Sequence, residues 1–262
     1  MGEPLHVEVT GEGRPIVLLH GWGMHAGVFQ DLSEQLAPRH RLLAVDLPGH
    51  GESEVFDQFN DLAKLTAHII EQLLPLVQTG FTLLGWSLGG LLAQAMAIRY
   101  PQYINKLVLL CSSPLFQRRD DWPHAVEADV LRSFAAELQR DYRGTLARFL
   151  ALQFLGSENQ KETLRRARTL LFARPQPDPA TLEQGLQLLN HTDLRQQLSQ
   201  IQCPVLVLNA EHDTLVPPGA GRYLAEHVAN GRAVIIKGAG HAPFLSHRQI
   251  LTNFLERFLD EY

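Results

Sequence analysis

Short apolar runs recur along the chain, each closing in a loop rich in turn residues. Ile16–Leu19, Leu42–Val45, Phe81–Leu84, Leu107–Leu110, Val205–Leu208 and Ala233–Ile236 are apolar at nearly every position. Such continuity predicts strands covered on both faces. Leu5–Val9 alternates instead and predicts one further strand. Between the runs the period lengthens. Leu62, Leu65, Ile69, Leu73 and Leu76 share one helical face over Leu62–Val77. Leu91–Arg99 reads as a helix, Tyr223 lies in another, and Ile250–Leu259 predicts a closing amphipathic helix. Alternating strands and helices imply an α/β fold, a mostly parallel central sheet with helices on both faces.

The rhythm breaks once. From about Leu115 to Asp193 only helical patterns occur: Val130, Leu131, Phe134 and Leu138; Leu146, Phe149 and Leu150; Leu182, Leu186 and Leu189. The turn from Arg174 to Pro179 separates two of them. The expectation is a core domain from 1–114 and 194–262, with a helical lid (cap) insertion at 115–193 over the ends of the strands.

The loops at those ends carry the candidate chemistry, because ligands bind beyond the carboxyl ends of parallel strands. Gly85-Trp86-Ser87-Leu88-Gly89 fits G-x-S-x-G between a strand and a helix, the context of a nucleophile elbow. Asp213 follows the Val205 run, and His241 follows the last strand in Gly238-Ala239-Gly240-His241. Ser87 is a poor nucleophile unless a base removes its proton. His241 can take that proton near neutral pH and return it to a leaving group. Asp213 would fix the imidazole tautomer and stabilise the imidazolium. Glu211 and Asp193 are rival acids. The oxyanion of a tetrahedral intermediate calls for two N–H donors, expected from Leu88 and from Trp22 in His20-Gly21-Trp22-Gly23. His20 reads as a brace for that loop, Asp46 and Ser53 as loop-shaping groups, and Trp22 and Trp86 as pocket walls.

Composition narrows the setting. The formal net charge of −5 argues against nucleic-acid binding. No run approaches a membrane span, and Met1–Thr10 lacks the basic and apolar regions of a secretory signal. Cys111 and Cys203 both adjoin apolar runs and read as buried reduced thiols of a cytoplasmic protein. No metal site and no cofactor are expected, and without an evident apolar interface the chain reads as a monomer.

These motifs resemble the α/β-hydrolase superfamily over almost the whole length, in its order Ser, Asp, His. Within it the chain is similar to a family of methyl ester esterases of biotin synthesis. The resemblance rests on Leu18-Leu19-His20-Gly21-Trp22-Gly23, Val45-Asp46-Leu47-Pro48-Gly49 and Leu84 to Gly90. It also rests on Ser112-Ser113-Pro114 with Asp121-Trp122-Pro123, on Arg148 to Gln153, on Asp193-Leu194-Arg195 and on Ala239 to Phe244. It implies hydrolysis of the methyl ester of a pimeloyl chain held on acyl-carrier protein, with release of methanol. By matching position it implies an acyl site formed by Trp22, Leu88, Phe149, Leu150, Ala151, Leu152, Gln153 and His241. It further implies a carrier-docking face at Arg143, Arg148, Lys161 and Arg165, Lys161 standing where the family has arginine.

Charge bears on that docking face. Arg140 to Arg174 holds eight basic residues against three acidic ones, +5 in a chain of −5. A basic lid on an acidic body suits an acidic partner, while a solvated helix face would look the same. Two alternatives stay open on the same residues. One is a broad short-chain carboxylesterase or C–C bond hydrolase; the other is a ligand-sensing protein that keeps the fold without turnover.

Overall fold

The computed structural model describes residues 4–78, 80–138, 140–154 and 160–261. Seven strands form one sheet: β1 (Val7–Thr10), β2 (Arg14–Leu19), β3 (His40–Val45), β4 (Phe81–Trp86), β5 (Ile104–Leu110), β6 (Val205–Ala210) and β7 (Gly231–Ile236). Their order is β1-β3-β2-β4-β5-β6-β7. β1 runs antiparallel to β3, and every other pair is parallel. The six continuous apolar runs thus become strands, each extended at one end, β5 by three residues and the others by two. β4, β5 and β6 are almost wholly buried, as expected for strands covered on both faces. β7 is an edge strand: only Ile236 is buried, and Ile235 is 38% exposed.

The strand order positions the site. The chain steps from β2 outward to β3 and then returns across β2 to lay down β4. The loops leaving β2 and β4 therefore diverge, and the crevice between them is the point where an open α/β sheet takes its ligand. The return is made through α2 (Leu62–Val77), whose Asp61 side chain caps the amides of Ala63 and Lys64, each at 3.1 Å. Its buried face carries Leu65, Ile69, Leu73 and Val77. α3 (Leu88–Arg99), α8 (Pro218–His227), α9 (Pro243–Ser246) and α10 (Arg248–Asp260) complete the layers, with α1 (Gln30–Leu36) after a 3-10 turn at Ala26–Phe29. α1 and α9 are too short for periodicity to reveal.

Between β5 and β6 lie α4 (Ala128–Leu138), α5 (Tyr142–Gln153), α6 (Gln160–Leu171) and α7 (Pro179–His191). Asp178 caps the Thr181 amide at 2.7 Å with Pro179 at the first helical position, a strong start for α7. Ahead of α4 the chain makes two isolated bridges, Gln117 with Val126 and Arg119 with Trp122, where the sequence suggested helix alone. Trp122 explains that local fold: it is buried, and its indole donates to the Leu115 carbonyl at 2.8 Å. The ends of the insertion meet where the Leu194 amide donates to the Pro114 carbonyl at 3.0 Å. Arg195 secures that junction through Asp193 and Asp121 while lying over the Trp122 ring. No helix among the described residues is long and apolar enough to cross a membrane.

Candidate active site

Ser87 joins β4 to α3 with φ 56° and ψ −117°, a left-handed conformation that a serine adopts only when its surroundings impose it. The surroundings are close-packed backbone. A methyl group on Gly85 would lie 2.3 Å from the Gly89 carbonyl oxygen, and one on Gly89 would lie 2.2 Å from that of Leu19. Only glycine at both positions lets β4, α3 and the end of β2 approach this closely. The Ser87 carbonyl accepts from the amides of Gly90 and Leu91 at 2.9 and 3.1 Å and from the Ser112 hydroxyl at 2.9 Å.

Three loops then converge. Ser87 Oγ lies 2.9 Å from His241 Nε2, and His241 Nδ1 lies 2.7 Å from Asp213 Oδ2. An ionised carboxylate accepts only, so Nδ1 carries the proton and Nε2 faces the serine as an acceptor. Asp213 Oδ1 accepts from the amides of Leu215 and Val216 at 2.9 and 2.8 Å. The histidine is gripped through its backbone as well. Its amide donates to the Gln153 carbonyl at the end of α5 at 2.7 Å, and its carbonyl accepts from the Trp86 indole at 2.9 Å. Trp86 thus stands behind the histidine, edge-on to Phe244, as a brace. Ser87, Asp213 and His241 are 6%, 4% and 1% exposed. The rival acids lie elsewhere: Asp193 pairs with Arg195, and the half-exposed Glu211 accepts from the Gly238 amide.

Trp22 and Leu88 flank the serine on the other side. Neither amide donates to another described residue, which leaves both N–H groups available. A methyl on Gly21 would lie 3.2 Å from Ser87 Cβ, so the Trp22 loop runs directly past the serine. Three neutral histidines support that loop. His20 accepts from the Leu47 amide at 2.9 Å and donates to the Gly21 carbonyl at 2.8 Å. His25 accepts from the Gly27 amide and donates to the Leu170 carbonyl of α6 at 2.8 Å. His50 donates to the Pro48 carbonyl at 3.0 Å. Burial holds all three below the ordinary histidine range, His20 well below it, and His50 is lowered to about 4. Asp46, fully buried, accepts from the amides of Ala26 and Glu52 and from Arg174. It shapes its loop and ties the loop to the insertion.

The insertion roofs this arrangement. The Trp22 indole donates to the Leu182 carbonyl of α7 at 2.8 Å and meets Phe149 edge-on at 4.8 Å. Phe149, Leu150 and Gln153 are buried, and Ala151 and Leu152 half-buried. The Gln153 side-chain oxygen is buried without a partner. The expected docking residues lie on α5 and α6. Arg148 pairs with Glu137 at 2.6 Å and Asp141 at 3.7 Å, and Arg143 lies over the Phe172 ring. Lys161 and Arg165 are exposed on α6. An open cleft of about 620 Å³ between α6 and the α9–α10 junction is lined by Arg165, Arg166 and Arg248, the last two sharing Asp31.

Sequence reasoning gave Cys111 only as a buried thiol and Ser112 only as part of a family stretch, with no place for either beside the relay, where the structure puts them. The signal was their place at a strand's carboxyl end. Cys111 is buried as expected; Cys203 is only half-buried. Cys111, Asp213 and His241 are the one grouping among the described residues with metal-ligand spacing. Its donors are committed: Asp213 and His241 share a proton, and burial followed by the Asp213 charge pushes the thiol well above its usual range. A cation there would displace the proton that fixes the tautomer.

A strained serine between strand and helix, a buried Ser-His-Asp relay and a mostly parallel sheet define an α/β hydrolase. The chain belongs to the alpha/beta hydrolase fold family, whose model matches residues 14–248. Within it the chain belongs with the pimeloyl-[acyl-carrier protein] methyl ester esterases. It is 44% identical over 255 residues to the one from Xanthomonas oryzae pv. oryzae (strain MAFF 311018), covering 97% of this chain and 98% of that protein. The one from Nitrosomonas europaea is 42% identical over 242 residues, covering 92% and 94%. Among solved structures, an esterase from Exiguobacterium antarcticum superposes with a TM-score of 0.91 at 25% identity, covering 99% of this chain and 97% of that one.

Proposed function

We propose that the protein hydrolyses the methyl ester of a pimeloyl chain carried on acyl-carrier protein, in biotin synthesis, with Ser87 as nucleophile, His241 as base and Asp213 as its partner. The observation that carries the chemistry is the unbroken relay from Ser87 Oγ through His241 to Asp213, at 2.9 and 2.7 Å. The substrate reading rests on the 44% identity over nearly the full length of both chains.

In the first half-reaction Ser87 Oγ attacks the ester carbonyl carbon as its proton passes to His241 Nε2. The negative charge on the carbonyl oxygen is met by the amides of Trp22 and Leu88. Asp213 stabilises the imidazolium. Collapse expels the methoxy group, which leaves as methanol with the proton from His241. In the second half-reaction His241 takes a proton from water, the hydroxide attacks the acyl-serine, and Ser87 leaves with that proton. The free carboxylate remains on the carrier-bound chain.

The insertion at 115–193 acts as the lid in this reading, with Phe149 to Gln153 and Trp22 lining the acyl site. Arg143, Arg148, Lys161 and Arg165 form the face that meets the acidic carrier, and the cleft beside Arg165 continues it toward α9, which follows His241. The large exposed apolar side chains, such as Val9, Phe172 and Ile250, are scattered, which supports a monomer, and we place it in the cytoplasm. The experiment is direct: incubation with the carrier-linked methyl ester should release methanol and a free carboxylate at a far higher kcat/KM than p-nitrophenyl esters are cleaved. Preference for the small esters would return the protein to the broad carboxylesterases.

A further inference from the structure

β5 ends in a residue that the ester chemistry leaves unused. Cys111 has φ 45°, left-handed backbone that non-glycine residues seldom adopt. Its amide keeps the sheet's pairing, donating to the Leu208 carbonyl at 2.8 Å. The side chain is fully buried, and its sulfur, an Asp213 oxygen and a His241 nitrogen all lie within 4.8 Å of one another. Burial, then the charge of the neighbouring Asp213 carboxylate, holds the thiol well above its usual range. The group therefore keeps its proton and is a donor rather than a nucleophile. The next residue serves the other end of the relay, since the Ser112 hydroxyl donates to the Ser87 carbonyl.

The buried Asp213 carboxylate is surrounded by donors of different kinds. Two backbone amides hold Oδ1 and His241 holds Oδ2. The protonated thiol of Cys111 is a further side-chain group beside this carboxylate, its sulfur within 4.8 Å of an Asp213 oxygen. Any donor other than His241 fixes the carboxylate's rotation and draws charge away from the imidazolium. The other titratable groups nearby are engaged with one another: Glu211 and His212 pair at the surface at 3.8 Å, and His20, His25 and His50 interact among themselves.

We propose that Cys111 is a positioning residue for ester hydrolysis, its thiol orienting Asp213 and tempering the carboxylate's hold on the His241 imidazolium. The proposal rests on Ser87, His241 and Asp213 being the reacting relay. An S–H group is a weak donor, a hydroxyl a stronger one, and a methyl none. Cys111→Ser and Cys111→Ala therefore bracket the natural residue.

The test is kcat and kcat/KM for a p-nitrophenyl ester across pH, with thermal unfolding to verify that each variant is folded. Cys111→Ala should lower kcat about three- to tenfold with KM nearly unchanged. The acid limb of kcat/KM should move up by about half a pH unit, because no thiol then competes with the imidazolium for the carboxylate. Cys111→Ser should bring kcat back to within about twofold and return the limb to its wild-type position or below. A Cys111→Ala enzyme with wild-type kcat and limb would overturn the proposal. So would a loss of kcat that serine fails to rescue with the limb unmoved, which marks packing alone. Ser87→Ala runs alongside: an active Ser87→Ala enzyme sinks the relay assignment, whereas an inactive one beside a normal Cys111→Ala enzyme sinks only the role of Cys111.

Discussion

Asp213 and Arg148 are both charged side chains close to the site, and the molecule treats them in opposite ways. Asp213 is buried in the sheet's loops and held by backbone amides on one oxygen and the histidine on the other. Arg148, on the lid, is half exposed and pairs with Glu137 and Asp141, which are themselves open to solvent. The contrast extends to whole layers. Core groups around Ser87 are locked to backbone, and the lid reaches them through carbonyls: Gln153 to His241, Leu170 to His25, Leu182 to Trp22. Arg174 reaches inward to the buried Asp46, but Arg148, Lys161 and Arg165 face outward, where salt screens them and a partner can exchange for local pairs. In the proposed function, position-sensitive chemistry belongs to the first layer and partner selection to the second.

The sharpest way to break that division is at its centre. Ser87→Ala should lower kcat by about 10⁴- to 10⁶-fold on every ester while leaving the fold intact, read by turnover and thermal unfolding. Residual activity at a tenth of wild type would remove Ser87 from the reaction. Next is the acid. Asp213→Asn should cost about 10⁴ in kcat by imposing the wrong tautomer, whereas Glu211→Gln, at the surface, should stay within about twofold. A reversed ranking would move the acid to Glu211.

The third concerns stability, where the histidines below the oxyanion loop differ from exposed ones. His50, fully buried, is held down to about 4, and His20 and His25 are lowered by burial too. The unfolded chain protonates these rings from about pH 6.5 downward, while the folded chain resists. Stability is therefore complete above pH 6.5 and declines as pH falls toward 4. His50 alone accounts for a loss of about 3 kcal/mol by pH 4. Urea unfolding at pH 7 and pH 4.5 reads this, and the His50→Asn variant should show a shallower pH dependence than the wild type.

What the sequence disclosed follows the same division. The strands were legible because parallel strands covered on both faces leave unbroken apolar runs, and the loops carrying Ser87, Asp213 and His241 stand at the ends of those runs. The strand order was not, since nothing in Ile16–Leu19 or Phe81–Leu84 states that β2 and β4 are neighbours. Nor was the turn at Cys111, because a left-handed non-glycine residue has no compositional mark. α1 and α9 owe their form to tertiary packing. In the lid, α5 and α7 follow from their apolar spacing. The pairing of Arg148 with Glu137 depends on how α4 and α5 lie together, which spacing alone does not supply.

The central claim, chemistry in the core and carrier recognition on the lid, is tested most directly by one comparison. The enzyme with Arg143, Arg148, Lys161 and Arg165 all replaced by alanine is assayed on the carrier-linked methyl ester and on a p-nitrophenyl ester across a salt series. The expected result is a KM for the carrier-linked ester raised about tenfold, with much of its salt dependence gone, and turnover of the small ester within about twofold of wild type. Equal losses on both substrates, or carrier turnover untouched by the substitutions and by salt, would contradict the account.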